Sequence, residues 1–175
     1  MSADLRYPIG KFEPPVQFTP ELRRLFIAQI EAVPDELRKA VAGLSEQQLD
    51  TPYRPEGWTV RQVVHHLPDS HMNSYIRFKL ALTENEPVVK TYEEALWAEF
   101  NDAKHGDIAV SLSLLEALHT RWGTLLKNMK PEDFSRTFRH PVTGVATLER
   151  TAAFYAWHGR HHIAHITSLR KRMGW

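Results

Sequence analysis

The sequence predicts an all-α fold, a four-helix bundle, and three observations carry that expectation. Four long stretches repeat apolar residues at three- and four-residue spacing, the period of a helix with one buried face. Three of the four open with a threonine placed to cap a helix start. No series of short alternating segments argues for a sheet. With 175 residues, 42% hydrophobic and 25% charged, the chain is long enough to bury a full core and fits one domain, 1–175.

The elements follow in order. Residues 1–18 carry Pro8, Pro14 and Pro15 with little periodicity, and read as an extended N-terminal arm. Thr19 before Pro20 is a start signal, a cap and then proline at the first helical position. Leu22, Leu25, Phe26, Ile30 and Val33 then recur at helical spacing. Pro34 is expected to kink or interrupt this helix, which resumes through Leu37, Val41 and Leu44. Residues 50–58 read as a loop. Thr59 and Gln62 match a capping box, so a second helix runs to about residue 82 with Pro68 inside it. Thr91 and Glu94 match another box and open a short helix to about residue 100. A third long helix covers about residues 108–129, with Leu112, Leu115, Leu118, Trp122 and Leu125 or Leu126 as its buried stripe. His140-Pro141 and Thr143-Gly144 suggest a loop or small hairpin over 136–146. Thr147 caps the last helix, about residues 148–173, which stops at Gly174.

Composition removes several classes of function. Lys plus Arg number 22 against 21 Asp plus Glu, so the chain presents no electrostatic footprint for nucleic acid or an anionic membrane. Arg170, Lys171 and Arg172 sit in the last turn of a helix and serve its negative end. There are no cysteines, which removes disulfides, thiolate metal sites and cysteine nucleophiles. No apolar run is long enough to span a membrane, and no signal-peptide pattern opens the chain, so a cytoplasmic protein is expected.

Ten histidines are unusual, and four of them fall between positions 158 and 165. Residues four apart on a helix lie one above the other, which makes two pairs, His158 with His162 and His161 with His165. On the wheel of the last helix His162 lies inside the apolar stripe and His158 at its edge. His165 and then His161 fall progressively farther from it. The inner pair is therefore 158 and 162. Two imidazoles one turn apart can direct ring nitrogens at a common cation. A third ligand has to come from the second helix, where His65, His66 and His71 are available. Periodicity prefers His71 and places His66 second, while hydrogen bonding to a neighbour accounts for a buried His71 without ligation. His66, Ser70, Asn73 and Arg77 form a polar line beside the core arc, and Arg77 suits an anionic substrate group. Asp69, His161 and His165 are further catalytic or orienting candidates. Trp157, on the outer side of the last helix, suits packing or a dimer interface.

The stretch GWTVRQVVHHLPDSHMNSYIRFKLALTE, with WHGRHHIAHITSLRKRMGW and the early YPIGKF, resembles the YfiT-like branch of the DinB superfamily over nearly the whole chain. The resemblance implies a homodimeric four-helix bundle with a divalent metal on three histidines, one on the second helix and two on the last. Carried over by motif, these are His66, directly before leucine, and the pair His158 and His162. It further implies a metal-dependent hydrolase acting on a small molecule, with transfer of a low-molecular-weight thiol such as bacillithiol, or a non-enzymatic metal-binding dimer, as alternatives. Pro68, after His-His-Leu, departs from close relatives. Three neutral imidazoles leave a divalent cation an open position for water or substrate. Zinc is the first expectation and nickel the second.

Overall fold

A computed structural model describes residues 4–175. Residues 4–18 form an arm of turns and extended backbone without helix or strand, as expected; the expected arm's first three residues lie outside the described part. Four long helices follow: α1 (Pro20–Val41), α3 (Val60–Thr83), α6 (Ile108–Asn128) and α7 (Leu148–Met173). Between them lie α2 (Glu46–Leu49), α4 (Glu94–Trp97), α5 (Asn101–His105), a 3₁₀ turn (Pro131–Ser135) and a hairpin of β1 (Thr137–His140) and β2 (Gly144–Thr147). The hairpin is antiparallel, with Phe138 opposite Ala146.

The caps form largely where the sequence places them. The hydroxyls of Thr19, Thr59 and Thr147 accept from Leu22, Gln62 and Arg150, and Gln62 completes a capping box. Gly174 ends α7 at φ 72°, the left-handed conformation that glycine adopts without strain. The expected box at Thr91 and Glu94 does not form; α4 starts one residue after Glu93, without a side-chain cap. Instead Ser45 and Gln48 make a box that opens α2, a turn the sequence reading passed over. Pro34 does not interrupt α1, which runs on to Val41. The buried stripe of α1 is Ile27, Ile30, Val33, Leu37 and Val41, while Leu25 is exposed.

The four long helices pack with some chain neighbours set apart. α1 packs against α6 and α7, and α3 packs against the same two, so helices consecutive along the chain, α1 and α3, lie on a diagonal. The core divides into two apolar layers. One holds Val33, Leu37, Val63, Leu67, Leu112, Leu115, Ile163 and Ile166; the other holds Ile27, Ile30, Phe78, Trp122, Leu126, Tyr155 and Ala156. Following each helix through the layers shows that α1 and α7 run one way and α3 and α6 the other. Joining the parallel pair α3 and α6 requires a crossover, which residues 84–107 supply. Arg61 fastens that crossover, donating to Gly106 O at 3.0 Å and pairing with Asp50 and Glu46. Between the two apolar layers lies a layer of histidines.

Candidate metal centre

α3 brings His66 into the middle of the bundle, and α7 brings His158 and His162 one turn apart to face it. The ring centroids lie 5.4 Å apart for His66 and His158, 4.6 Å for His66 and His162, and 4.5 Å for His158 and His162. One ring nitrogen from each falls within 4.8 Å of the other two, and all three side chains are buried. Trp58 lies against this group, with its ring centroid 4.8 Å from His66 and 6.4 Å from His162. Gly159, between the two α7 histidines, lets that helix approach α1 closely. A β-carbon there would come within 2.4 Å of Val33 Cγ2.

Burial sets the electrostatics. It holds His66 down to about 4, with the neighbouring His161 and His165 adding to the effect. Burial, ahead of mutual repulsion, holds His158 and His162 well below the ordinary histidine range. All three rings are thus neutral near pH 7, the form that donates a lone pair to a metal. No carboxylate belongs to the group among the described residues. His162 Nδ1 is buried without a hydrogen-bond partner. His66 Nε2 and His158 Nε2 meet only at 3.5 Å, so this buried group of ring nitrogens is poorly satisfied by its own members, a costly arrangement unless a cation joins it. The residues therefore fit a divalent metal, with imidazole as its donor set.

Two further histidines stand behind His158. His71 Nε2 lies 3.1 Å from His158 Nδ1, and His71 Nδ1 lies 2.8 Å from Nε2 of His119 on α6. His119 Nδ1 in turn donates to the backbone carbonyl of Ile30 on α1, at 2.6 Å. His71 is hydrogen-bonded to its neighbours, outside the three-histidine group, and is the most buried of the set. The sequence reading missed His119. Its signal was present, because Leu112, Leu115, His119, Trp122 and Leu126 alternate steps of three and four, and all five are buried. Leu118, expected in that stripe, is only half-buried.

The outer pair on α7 needs correction. His161 and His165 were expected to lie away from the core, yet both are buried. The covering elements are ones a single-helix wheel omits. His165 donates to Arg6 O at 3.1 Å and stacks on Tyr53 at 4.0 Å, while His161 lies between Tyr7 and Trp157. His65 is buried likewise, held by Ser111 at 2.7 Å and by Gly106 O. Phe12 of the arm packs 6.0 Å from Trp157.

A cavity of about 960 Å³ opens beside His158, lined by Ser70, Arg77, Tyr92, His140 and Tyr155 among others. Ser70, on the polar line beside the core arc, is buried here. Tyr155 donates to Ser70 O at 3.2 Å. Asn73 caps back onto Asp69 O instead of lining the cavity. Arg77 reaches the cavity with a buried Nε that has no partner. Asp69 does not join the histidine group; burial and the charge of Asp102 push its carboxyl up to about 6.

Comparison with known proteins agrees with this architecture. The family described as the DinB superfamily matches residues 29–166. A protein of Bacillus cereus with the provisional name of metal-dependent hydrolase is 58% identical over 172 residues, covering 98% of this chain and 99% of the relative. A Bacillus anthracis protein bearing the same provisional name matches to the same extent. Among solved structures, YfiT from Bacillus subtilis superimposes with a TM-score of 0.96 at 51% identity, covering 99% of each chain. It is described as a probable metal-dependent hydrolase with an unusual four-helix bundle topology. TT2238, a four-helix bundle protein, shares the fold alone, at 16% identity and a TM-score of 0.58 over 83% of this chain and 98% of its own.

Proposed function

The chain belongs to the DinB superfamily, and on that footing we propose that it is a metal-dependent hydrolase of a small molecule, with its divalent metal on His66, His158 and His162. The observation carrying this reading is the buried group of three neutral imidazoles, free of any acid, at the edge of a cavity. A divalent cation with three imidazole ligands supplies Lewis acidity, activating water and polarising a substrate oxygen. Zinc comes first and nickel second, on ligand preference.

The chain's own residues supply the rest. The cavity beside His158 binds the substrate, and its apolar wall of Phe138, Phe154 and Val145 receives an apolar portion. Arg77, with its unpartnered Nε, binds an anionic group on the substrate. Tyr155 keeps its proton because burial raises its pKa, gives it to Ser70 O, and so offers its hydroxyl oxygen to the substrate as an acceptor. His161, His165 and Asp69 are assigned no chemical step. Trp58 shields the histidines from bulk water. One domain, homodimer assembly and residence in the cytoplasm complete the proposal; no helix among the described residues is long and apolar enough to cross a membrane.

A second reading, transfer of a small thiol to an electrophile, is favoured by the size of the cavity, which lies at the upper end for small-molecule sites and has room for two reactants. The test loads the purified protein with zinc or nickel. It then screens esters and amides without thiol, and electrophiles together with a small thiol. Metal-dependent turnover without thiol, lost in His162→Ala, supports hydrolysis. Turnover only with thiol selects the second reading. Stoichiometric metal without turnover in either arm leaves a metal-binding scaffold, and failure to bind metal overturns the proposal.

A further inference from the structure

We propose that a row of groups running through all four long helices, Ile30 O, His119, His71 and His158, fixes the proton of His158 on Nδ1 and leaves Nε2 as a bare lone pair facing His66. The row has one fixed end. Pro34 has no N–H, so the Ile30 carbonyl four residues earlier lacks the helical partner it would otherwise have. His119 Nδ1 lies 2.6 Å from that oxygen. A carbonyl has no proton to give, so His119 donates.

A neutral imidazole carries one ring proton, and each link then determines the next. With its proton on Nδ1, His119 offers a lone pair at Nε2, and His71 Nδ1 donates to it across 2.8 Å. His71 therefore offers a lone pair at Nε2, and His158 Nδ1 donates to it across 3.1 Å. His158 Nε2 is left bare, 3.5 Å from His66 Nε2. The rings stay neutral because they are buried and because the row ends on a carbonyl instead of a carboxylate. Reversing the row would set two lone pairs against each other at 2.6 Å and leave the carbonyl unpartnered.

A histidine ligand ordinarily donates its second N–H to a carboxylate, carbonyl or water, which fixes its tautomer and orientation. Here an imidazole takes that part, oriented in turn by another. His71 and His119 are thus positioning residues for His158. Their benefit to metal binding rests on the proposed metal centre, whereas the tautomer itself does not.

The experiment uses metal-free, ¹⁵N-histidine-labelled protein, with long-range ¹H–¹⁵N correlation spectra of the rings and a zinc titration by calorimetry. Wild type should show His158 protonated at Nδ1 and bare at Nε2. His119→Leu removes the acceptor for His71, so the preference at His158 should be lost and zinc affinity should fall by about ten- to a hundredfold. His119→Gln can donate its amide N–H to Ile30 O and accept from His71, so it should restore both readouts. A proton on His158 Nε2 in wild type overturns the proposal, as does His119→Leu leaving the tautomer unchanged. If the leucine variant does not fold, wild type and the glutamine variant still decide. A wild type with the expected tautomer that binds no zinc would sink the metal centre and leave the row standing.

Discussion

Gly159 faces Val33 so closely that a single added methyl group would come within 2.4 Å of Val33 Cγ2. Val33 is fully buried, so it has little room to yield. Gly159→Ala should therefore cost about 1–3 kcal/mol of stability, the usual price of overpacking a core. That corresponds to a drop of roughly 2–4 °C in Tm per kcal/mol for a chain of this size. Adding Val33→Ala should recover part of the loss. A denaturation series on the two single variants and the double variant checks this, and simple additivity would contradict the contact.

Metal should stabilise the fold, because the three histidines meet only in the native state. At zinc near one hundred times its Kd, the gain should be about 2.7 kcal/mol. Differential scanning calorimetry with and without zinc measures it. His66→Ala, His158→Ala and His162→Ala should each abolish the rise, whereas His140→Ala, at the cavity rim, should not.

Acid should destabilise the metal-free protein. His66 and His119 are held down to about 4 by burial, and His71, His158 and His162 lie well below their ordinary range. Folded rings therefore bind fewer protons than unfolded ones between about pH 6.5 and about pH 4, and stability falls as pH falls through that window. Asp69, raised to about 6, acts in the opposite sense, since its folded form takes up the proton more readily. One aspartate does not offset five histidines. Urea midpoints should decline steadily from pH 7 to pH 5, and a flat profile would contradict the neutral, buried assignment.

Arg77→Met should leave metal content unchanged and weaken turnover of anionic substrates. The loss of one charge-assisted bond, about 1.5–3 kcal/mol, amounts to roughly ten- to a hundredfold in kcat/KM. Neutral analogues should be affected far less. Equal losses for both would remove the anion-binding role.

Much of this was legible from the residues. Thr59 with Gln62, Thr147 and Gly174 marked helix boundaries through local chemistry, which a sequence displays directly. His158 with His162 followed from four-residue spacing, but choosing His66 over His71 needed the family resemblance, because a single-helix wheel ranks burial and not convergence. His161 and His165 defeated the wheel for a different reason. The elements that cover them, the arm at Arg6 and Tyr7 and the loop at Tyr53, lie far away in the chain. Pro34 was visible but misread as a break. A helix can keep its course past a proline, and what changes is one carbonyl left without its usual donor, here Ile30.

The row from Ile30 to His158 gives α1 and α6 a share in the proposed metal centre, to which neither contributes one of the three histidines. A minimal two-helix graft of α3 and α7 would carry all three proposed ligands and still lack the proton order proposed for one of them. Local fraying of α6 would likewise reach the three-histidine group without touching it, through a single imidazole turning over. The smallest transplantable unit of this centre is the whole bundle.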